Sequence, residues 1–240
     1  MDIAHRKFDL SSDTKNNLKY LASGELVYNA GSLGIVHETN KNVQRFFDQH
    51  RDDCLCVAVH PDGVTVATGE LFSRPAIYVW NSKTMRLQAI AKQGLTKGVD
   101  NLAFSPDGTL LLATTMDTIK KVVIFDSPGG DSYDMITIDE VTDQPFFAIC
   151  WVNQTDFIGV GPGFFRYWSI ADDEMLCLTG EFLEGSCTVL LCAAVLPNGN
   201  IACGCATGEL QKWQQGYQQP VSNIHYGVGP LEAIHVTKKL

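Results

Sequence analysis

The sequence predicts an all-β fold, a β-propeller of about five four-stranded blades plus one further strand. Four short apolar segments each end in an aromatic residue, and the steps between these aromatic residues are 45, 43 and 45 positions. A second apolar series precedes them at a similar period, and Pro-Asp-Gly or Pro-Asn-Gly follows three of its members. A repeat of 40–45 residues with four strands per unit is typical of propeller blades. The recurring aromatic residues are Trp80, Phe125, Trp168 and Trp213.

Each unit has the same predicted order of four strands. The first, here called the leading strand, is mostly apolar, as at residues 99–104, because inner strands pack between neighbouring blades. The Pro-Asp-Gly turn then reverses the chain, since proline presets φ and glycine adopts positive φ. A second strand ends in small residues, as at 65–69, and the third strand carries the aromatic residue. A more polar fourth strand, as at 86–90, is expected at the outer edge.

The two ends of the chain both read as beginnings of blades. Residues 17–21, 26–28, 34–37 and 43–47 predict the four strands of a first blade, and residues 230–236 predict a sixth leading strand. A propeller closes when strands from the two ends complete one blade. Because two leading strands cannot complete each other, we expect that the chain is a fragment of a longer protein or that other segments complete the ring.

Composition excludes several classes of protein. The chain has 240 residues and a net charge of -9, of which -10 falls after residue 51, which disfavours nucleic-acid binding. No stretch has the roughly 18 apolar residues of a membrane-spanning helix. The eight cysteines include no Cys-x-x-Cys pair, and the pairs at 54/56 and 203/205 have the spacing of strand residues that share one face. We therefore expect reduced, mostly buried thiols, no metal and no cofactor.

The repeats resemble WD40 repeats, which have Trp-Asp-like strand ends and this period. Residues 16–28 with 34–36 resemble the end of the HELP motif, which opens the propeller region of the echinoderm microtubule-associated protein-like (EML) family. Residues 43–53, 60–62, 66–69 and 75–81 resemble the next blade of that family. The resemblance covers about residues 14–240. It divides the chain into a polar extension (1–13), a HELP-like first blade (14–51) and a region of WD40 blades two to five plus the next leading strand (52–240).

The resemblance implies a seven-bladed or tandem propeller that associates with microtubules. The implied partners are tubulin or microtubule-associated proteins, with further blades supplied by the same or another chain, and the implied location is the cytoplasm and cytoskeleton, including ciliary or spindle microtubules. The chain departs from the family pattern because residues 1–14 contain no tryptophan and no coiled-coil or basic N-terminal region is seen. Because the chain is acidic, we do not expect it to grip the acidic surface of tubulin by charge alone.

The candidate site residues are structural blade positions. WD40 repeats often bury a hydrogen-bonded His, Ser/Thr, Trp and Asp, and His50, Thr68 and Trp80 match three of these positions, while no Asp matches the fourth. Phe125, Asp126, Trp168 and Trp213 occupy the strand ends of the later blades. Partner-binding residues are not identifiable from the sequence.

Three functions are compatible with these residues. The first is a non-enzymatic cytoskeletal scaffold of the EML type. The alternative is a general WD40 adaptor, such as a signalling or ubiquitin-ligase platform, with no tubulin contact. The third, a propeller enzyme, needs convergent titratable groups, and no Ser-His-Asp, Cys-His or paired-carboxylate arrangement recurs at a suggestive spacing.

Overall fold

A computed structural model describes residues 17–126, 133–172, 174–215, 217–218, 224–225 and 229–236. All regular secondary structure in these residues is β-strand, arranged in five antiparallel sheets. The described part of the chain contains no helix of the length and apolar character needed to cross a membrane. The extension expected at residues 1–13 lies outside the described residues.

The first two blades have the predicted four strands. Blade one consists of β1 (Leu18–Tyr20), β2 (Leu26–Ala30), β3 (Leu33–Glu38) and β4 (Val43–Phe47). Blade two consists of β5 (Cys54–Val59), β6 (Thr65–Glu70), β7 (Ile77–Asn81) and β8 (Arg86–Ala91). In both, strands adjacent in sequence are hydrogen-bonded neighbours, so each blade is a simple up-and-down meander.

The last three blades repeat this order. Blade three consists of β9 (Val99–Phe104), β10 (Leu110–Thr115), β11 (Lys120–Asp126) and β12 (Asp134–Thr142). Blade four consists of β13 (Ala148–Trp151), β14 (Asp156–Gly161), β15 (Phe164–Ala171) and β16 (Glu174–Thr179). Blade five consists of β17 (Leu190–Val195), β18 (Ile201–Cys205), β19 (Glu209–Gln214), β20 (Tyr217–Gln218) and β21 (Ile224–His225).

The core lies between the blades, which stack face to face. Four separate clusters of buried apolar side chains each join one blade to the next. The recurring aromatic residue of the third strand faces the preceding blade in every case. Trp80 stacks on Phe47 at 5.0 Å, and Trp213 stacks on Phe165 at 4.2 Å. The recurring aromatic residue is therefore the side chain through which each blade packs on the preceding blade.

The meander places the connections on two opposite faces of the molecule. We call the face where the leading strands begin the start face, and the opposite face, which carries the Pro-Asp-Gly turns, the turn face. On the turn face, the Ala22 N–H donates to the Gly63 carbonyl at 3.3 Å, and His60 Nε2 lies 3.2 Å from the Gly108 carbonyl oxygen. The Gln154 side chain accepts the Asp107 N–H at 3.0 Å. Turns of successive blades are thus linked from blade one to blade four.

The sixth leading strand predicted at residues 230–236 is not formed, which corrects that expectation. This segment is irregular, and the extra strand of the structure is β21, which pairs with β19. Leu231 nevertheless lies where a leading strand would begin. Cys192 Sγ donates to its carbonyl at 3.1 Å, just as Cys56 Sγ donates to the Val99 carbonyl at 3.2 Å. The Leu231 N–H donates to the Cys205 carbonyl at 3.0 Å, but a strand needs a series of such bonds along its length, and no ladder of paired residues is formed by 230–236 among the described residues.

The structure confirms an all-β propeller arrangement with five blades. The outward side of blade one carries exposed Leu18 and Tyr20, at 55% and 74% exposure, and no other described blade covers it. The completion of the ring by further blades stays a prediction. The division at residues 14–51 and 52–240 also stays a prediction, although blade one ends at Phe47 and blade two begins at Cys54.

Candidate interaction surface

A buried hydrogen-bonded group lies in blade two, close to the start face. Thr68 Oγ1 accepts the indole N–H of Trp80 at 3.0 Å and lies 2.7 Å from His50 Nε2. Thr68 and Trp80 are completely buried, and His50 is 8% exposed. The structure thus brings together the three residues that the sequence singled out for this place, and one hydroxyl serves both rings.

The fourth member of this group is Glu70, which the sequence interpretation missed because it sought an aspartate. The Glu70 carboxylate accepts the backbone N–H of Arg51 at 3.1 Å, Arg51 Nε at 3.2 Å and the backbone N–H of Ala76 at 3.1 Å. His50 Nδ1 lies 3.6 Å from Glu70 Oε2, beyond hydrogen-bonding distance. A signal was present, since a glutamate two positions after Thr68 in β6 shares the face of the threonine.

Burial determines the charge states in this group. Desolvation lowers the pKa of His50 to about 4, and the carboxylate of Glu70 acts in the opposite direction with less effect. The ring is therefore neutral at pH 7, and its Nδ1, which faces Glu70, has no hydrogen-bond partner among the described residues. Hydrogen bonding to Glu70 raises the pKa of Arg51, so the guanidinium keeps its charge beside the buried carboxylate.

The other predicted blade positions do not rebuild this group. Phe125 is fully buried and has no polar group to donate, and Asp126 ends β11 in a partly buried position. Trp168 Nε1 donates across to Asp139 of blade three at 3.2 Å, whereas Trp213 Nε1 is buried and has no hydrogen-bond partner among the described residues. The residues at the position of Thr68 in blades three, four and five are Ala113, Gly159 and Cys203.

The Glu70 carboxylate and the Arg51 guanidinium together fix the loop at 71–76 on the start face. Arg51 donates to the Arg74 carbonyl at 2.8 Å, and its guanidinium lies 4.3 Å from the centre of the Phe72 ring. The Leu71 N–H donates to the Asp53 carbonyl at 2.8 Å. The loop is consequently held by hydrogen bonds at Leu71, Arg74 and Ala76. The bonds at Arg74 and Ala76 are made by Arg51 and by the carboxylate of Glu70.

The neighbouring loop of blade three is tied to the same place. The Gly98 N–H donates to the Phe72 carbonyl at 3.3 Å, and the Met116 N–H lies 3.1 Å from the carbonyl oxygens of Lys97 and Gly98. A Cβ built on Gly98 would lie 3.0 Å from Leu71 Cδ1 and 2.9 Å from Met116 Sδ. The side chains of Leu71 and Met116 therefore meet over this glycine, at the junction of blades two and three.

This junction forms an apolar surface that we call the start-face patch, consisting of Leu71, Phe72 and Met116. Leu71 and Met116 are 40% and 39% exposed, although each belongs to a residue type that normally packs inside. Contiguous exposed apolar side chains on an ordered surface often mark a contact site for another molecule. Since two hydrogen-bonded loops from different blades supply them, the patch depends on the stacking of the blades.

Charged residues surround the start-face patch. Arg74 is exposed on the loop at 71–76 and Lys97 on the connection that precedes β9, while Arg51, Asp52 and Asp53 are exposed together on the connection that precedes β5. Asp52 is partly engaged locally, because its carboxylate accepts the Asp53 N–H at 2.9 Å. Arg51 is already paired with the buried carboxylate of Glu70, so the charges of Arg74 and Lys97 are balanced by those of Asp52 and Asp53.

The described residues contain no arrangement that we recognise as catalytic. No group of three or more His, Cys, Asp or Glu side chains among them is placed to hold a metal ion. All eight cysteines are free thiols, and burial raises the pKa of Cys150 to about 12. Such thiols are protonated at neutral pH, which makes them poor nucleophiles.

Comparison with known proteins identifies the type of repeat. Residues 41–81 match the family described as WD domain, G-beta repeat (WD40), and this segment contains β4 to β7 with Trp80 at its end. Residues 41–81 thus match a WD40 repeat, within a chain that has a β-propeller fold. The structure of U3-55K has the same fold, with a TM-score of 0.67, 16% identity, and coverage of 92% of this chain and 71% of that chain.

The chain is also similar in sequence to named relatives. It is 26% identical to echinoderm microtubule-associated protein-like 2 of Mus musculus, covering 90% of this chain and 35% of the relative. The 77 kDa echinoderm microtubule-associated protein of Lytechinus variegatus is also 26% identical, with 90% and 34% covered. Echinoderm microtubule-associated protein-like 1 of Homo sapiens is again 26% identical, with 90% and 27% covered. The expected resemblance to the EML family is confirmed, and the chain spans about a third of the length of these relatives.

Proposed function

We propose that this WD40 region is part of a non-enzymatic cytoskeletal scaffold that binds microtubules, tubulin or microtubule-associated proteins through its propeller surfaces. The observation that carries the proposal is the similarity, over 90% of the chain, to proteins whose names describe microtubule association. The proposed location is accordingly the cytoplasm and its cytoskeleton, including ciliary or spindle microtubules.

The fold supports a scaffold because the blades present ordered loops on a rigid support. The core clusters join every blade to the next, and hydrogen bonds between turns link blades one to four. Loops held in place lose little conformational freedom on binding, which favours recognition of a partner by shape. The proposed partners include further blades, which would cover the exposed side of blade one.

The net charge of -9 constrains how such contact works. General electrostatic attraction would bring this chain to cationic partners only, and it weakens with salt. Contact with a microtubule would therefore depend on a particular surface of apolar and hydrogen-bonding groups. Binding of that kind is expected to persist at physiological ionic strength.

Co-sedimentation with stabilised microtubules tests this proposal. The purified protein should pellet with microtubules at low salt and also at about 0.15 M salt, where charges are screened over roughly 8 Å. A parallel spin without microtubules corrects for self-association through the exposed side of blade one. Protein that stays in the supernatant at both salt concentrations would contradict the cytoskeletal function.

The alternative is a general WD40 adaptor, such as a signalling or ubiquitin-ligase platform, that does not contact tubulin. The match of residues 41–81 to the general WD40 family favours it, because that match carries no reference to microtubules. An adaptor would bind another protein through a propeller surface yet fail to sediment with microtubules. The two functions are therefore separated by the same sedimentation experiment combined with a direct binding assay.

A further inference from the structure

We infer that the outer edge of blade four is a self-association surface, at which β16 of one copy of this chain pairs antiparallel with β16 of a second copy. This inference goes beyond the proposed function and does not depend on it. It rests on three features of β16, which are its open edge, its exposed leucines and the symmetry of its outward backbone groups.

The edge of β16 lacks the features that normally keep other strands away. β16 is the last strand of its sheet, and no described strand pairs with its outer side. Natural sheet edges usually carry charges or irregular pairing, which prevent the addition of a further strand. β8 and β12 shift register against their neighbours, and β4 carries Arg45. In contrast, residues 175–179 contain no charged side chain, and β16 pairs with β15 without a shift.

Two leucines of β16 are exposed on one face of the strand. Leu176 and Leu178 are 61% and 55% exposed, and residues two positions apart in a strand share a face. Leu178 is paired with Tyr167, whose ring belongs to the cluster between blades four and five, so both leucines face blade five. The outer strand β20 of that blade has only two residues and leaves them exposed. A partner that removes these leucines from water gains free energy.

The outward backbone groups of β16 fit a second copy of the same strand. The Gly180 N–H donates to the Phe165 carbonyl at 2.7 Å, and hydrogen bonding alternates along an antiparallel pair. The even-numbered residues of β16 therefore point their N–H and C=O groups at β15, while Met175, Cys177 and Thr179 point theirs outward. A two-fold axis at Cys177 places this residue opposite its own copy and Met175 opposite Thr179. All the outward groups of both strands are then hydrogen-bonded.

The same register brings complementary side chains together. The exposed leucines of the two copies lie opposite each other and form one apolar cluster. The acidic turn before β16, with exposed Asp172 and Glu174, comes beside the far end of β16 in the other copy. At that end the Arg166 guanidinium donates to the hydroxyl of Thr179. Cation and carboxylates thus meet twice across the two-fold axis, and this charge complementarity favours a second copy over an unrelated strand.

Sedimentation velocity of the purified chain over a wide range of concentrations tests for this dimer. Because the surface is small, we expect reversible dimerisation with a Kd of about 10–100 μM. Leu178→Lys places a charge in the apolar cluster and should weaken dimerisation at least tenfold. Val43→Lys makes the same change at an exposed position of β4 and should leave the Kd unchanged. A protein that stays monomeric well above the expected Kd overturns the inference.

The exposed side of blade one provides a second control, because it is another apolar surface of the described chain. Tyr20 is 74% exposed there, and Tyr20→Lys should not change the Kd if β16 forms the contact. If Tyr20→Lys abolishes dimerisation while Leu178→Lys leaves it intact, the copies associate through blade one and the inference is wrong.

Disulfide cross-linking tests the register. The Cα atoms of the two Cys177 residues would lie about 5.5 Å apart in a hydrogen-bonded pair, within the range that a disulfide spans. Diamide, which accepts the two hydrogens of a thiol pair, should link the unmodified chain into dimers but not Cys177→Ser. In the Cys177→Ser background, Met175→Cys combined with Thr179→Cys should restore the link, and Met175→Cys alone should not. Linking by Met175→Cys alone, or none by the unmodified chain, overturns the inference.

Discussion

Glu70 is completely buried, yet its carboxylate accepts hydrogen bonds from the partly exposed guanidinium of Arg51. The same carboxylate accepts the backbone N–H groups of Arg51 and Ala76, so it connects the chain before β5 with the loop after β6. Its pairing with a cation and two N–H groups compensates for the loss of hydration. One buried acid therefore organises the part of the start face on which the patch lies.

Replacing this carboxylate should be costly. Glu70→Ala leaves two N–H groups and a guanidinium without their acceptor, and we expect a loss of about 3 kcal/mol in the free energy of unfolding. Glu70→Gln keeps one acceptor oxygen and should lose less. Urea denaturation followed by tryptophan fluorescence measures both variants. Glu174→Gln, which changes an exposed residue of β16, is the control, and equal losses at the two positions would refute this account.

The hydroxyl group of Thr68 should contribute more to the stability of the fold than its methyl group does. Thr68→Val removes the acceptor of the Trp80 indole and the partner of His50, and we expect a loss of about 2–3 kcal/mol because both groups stay buried. Thr68→Ser keeps the hydroxyl and should lose less than half as much. Equilibrium denaturation compares the two variants, and equal stability of Thr68→Val and the unmodified protein would contradict the hydrogen-bonded arrangement.

In blade five a hydrogen-bond acceptor for the tryptophan can be added instead of removed. Within the described part of the chain, Trp213 Nε1 is buried without a hydrogen-bond partner, and Cys203 occupies the position that Thr68 has relative to Trp80. Cys203→Ser places a hydroxyl there, and we expect a gain of up to about 1 kcal/mol in the free energy of unfolding. Cys203→Ala, which adds no hydroxyl, should reduce stability. In a Trp213→Phe background the advantage of serine over alanine should vanish, and its persistence would show that the indole is not involved.

Stability should fall as the pH is lowered from about 6.5 toward 4. His50 has a pKa of about 4 in the folded protein and an ordinary pKa near 6.5 when unfolded, so the unfolded chain binds the extra proton first. The contribution of the neutral ring is fully present above pH 6.5 and is lost by about 1.4 kcal/mol per pH unit below it. Denaturation at several pH values measures this slope. His50→Gln should flatten it between pH 6 and 5, and an unchanged slope would assign the effect to other groups.

The repeat could be predicted from the sequence because every blade has the same packing requirements. A leading strand between two blades must be apolar, and Gly63 and Gly108 adopt the positive φ that the Pro-Asp-Gly turns require. The spacing of Trp80, Phe125, Trp168 and Trp213 reflects the contact of each blade with its predecessor. These requirements are local or periodic, so they leave a pattern along the chain.

The prediction of a sixth leading strand at residues 230–236 was wrong. The reason cannot be read from the sequence of that segment alone. Its apolar sequence is suited to a strand, and Leu231 does take the place of a leading-strand residue against Cys192. A β-strand, however, is stable only where a neighbouring strand satisfies its backbone groups, and that neighbour is a property of the assembled sheet. The apolar residues of this segment suit it to contact with blade five, but they do not determine its secondary structure.

By itself, the sequence determined the number of blades, their strand order and three members of the buried group, His50, Thr68 and Trp80. The role of Glu70 and the start-face patch were decided only by the tertiary structure. Leu71 and Met116 come from different blades and meet over Gly98 where blades two and three pack against each other. Contacts between residues so far apart leave no repeating pattern in the sequence. Only the folded structure therefore shows which exposed side chains form one surface.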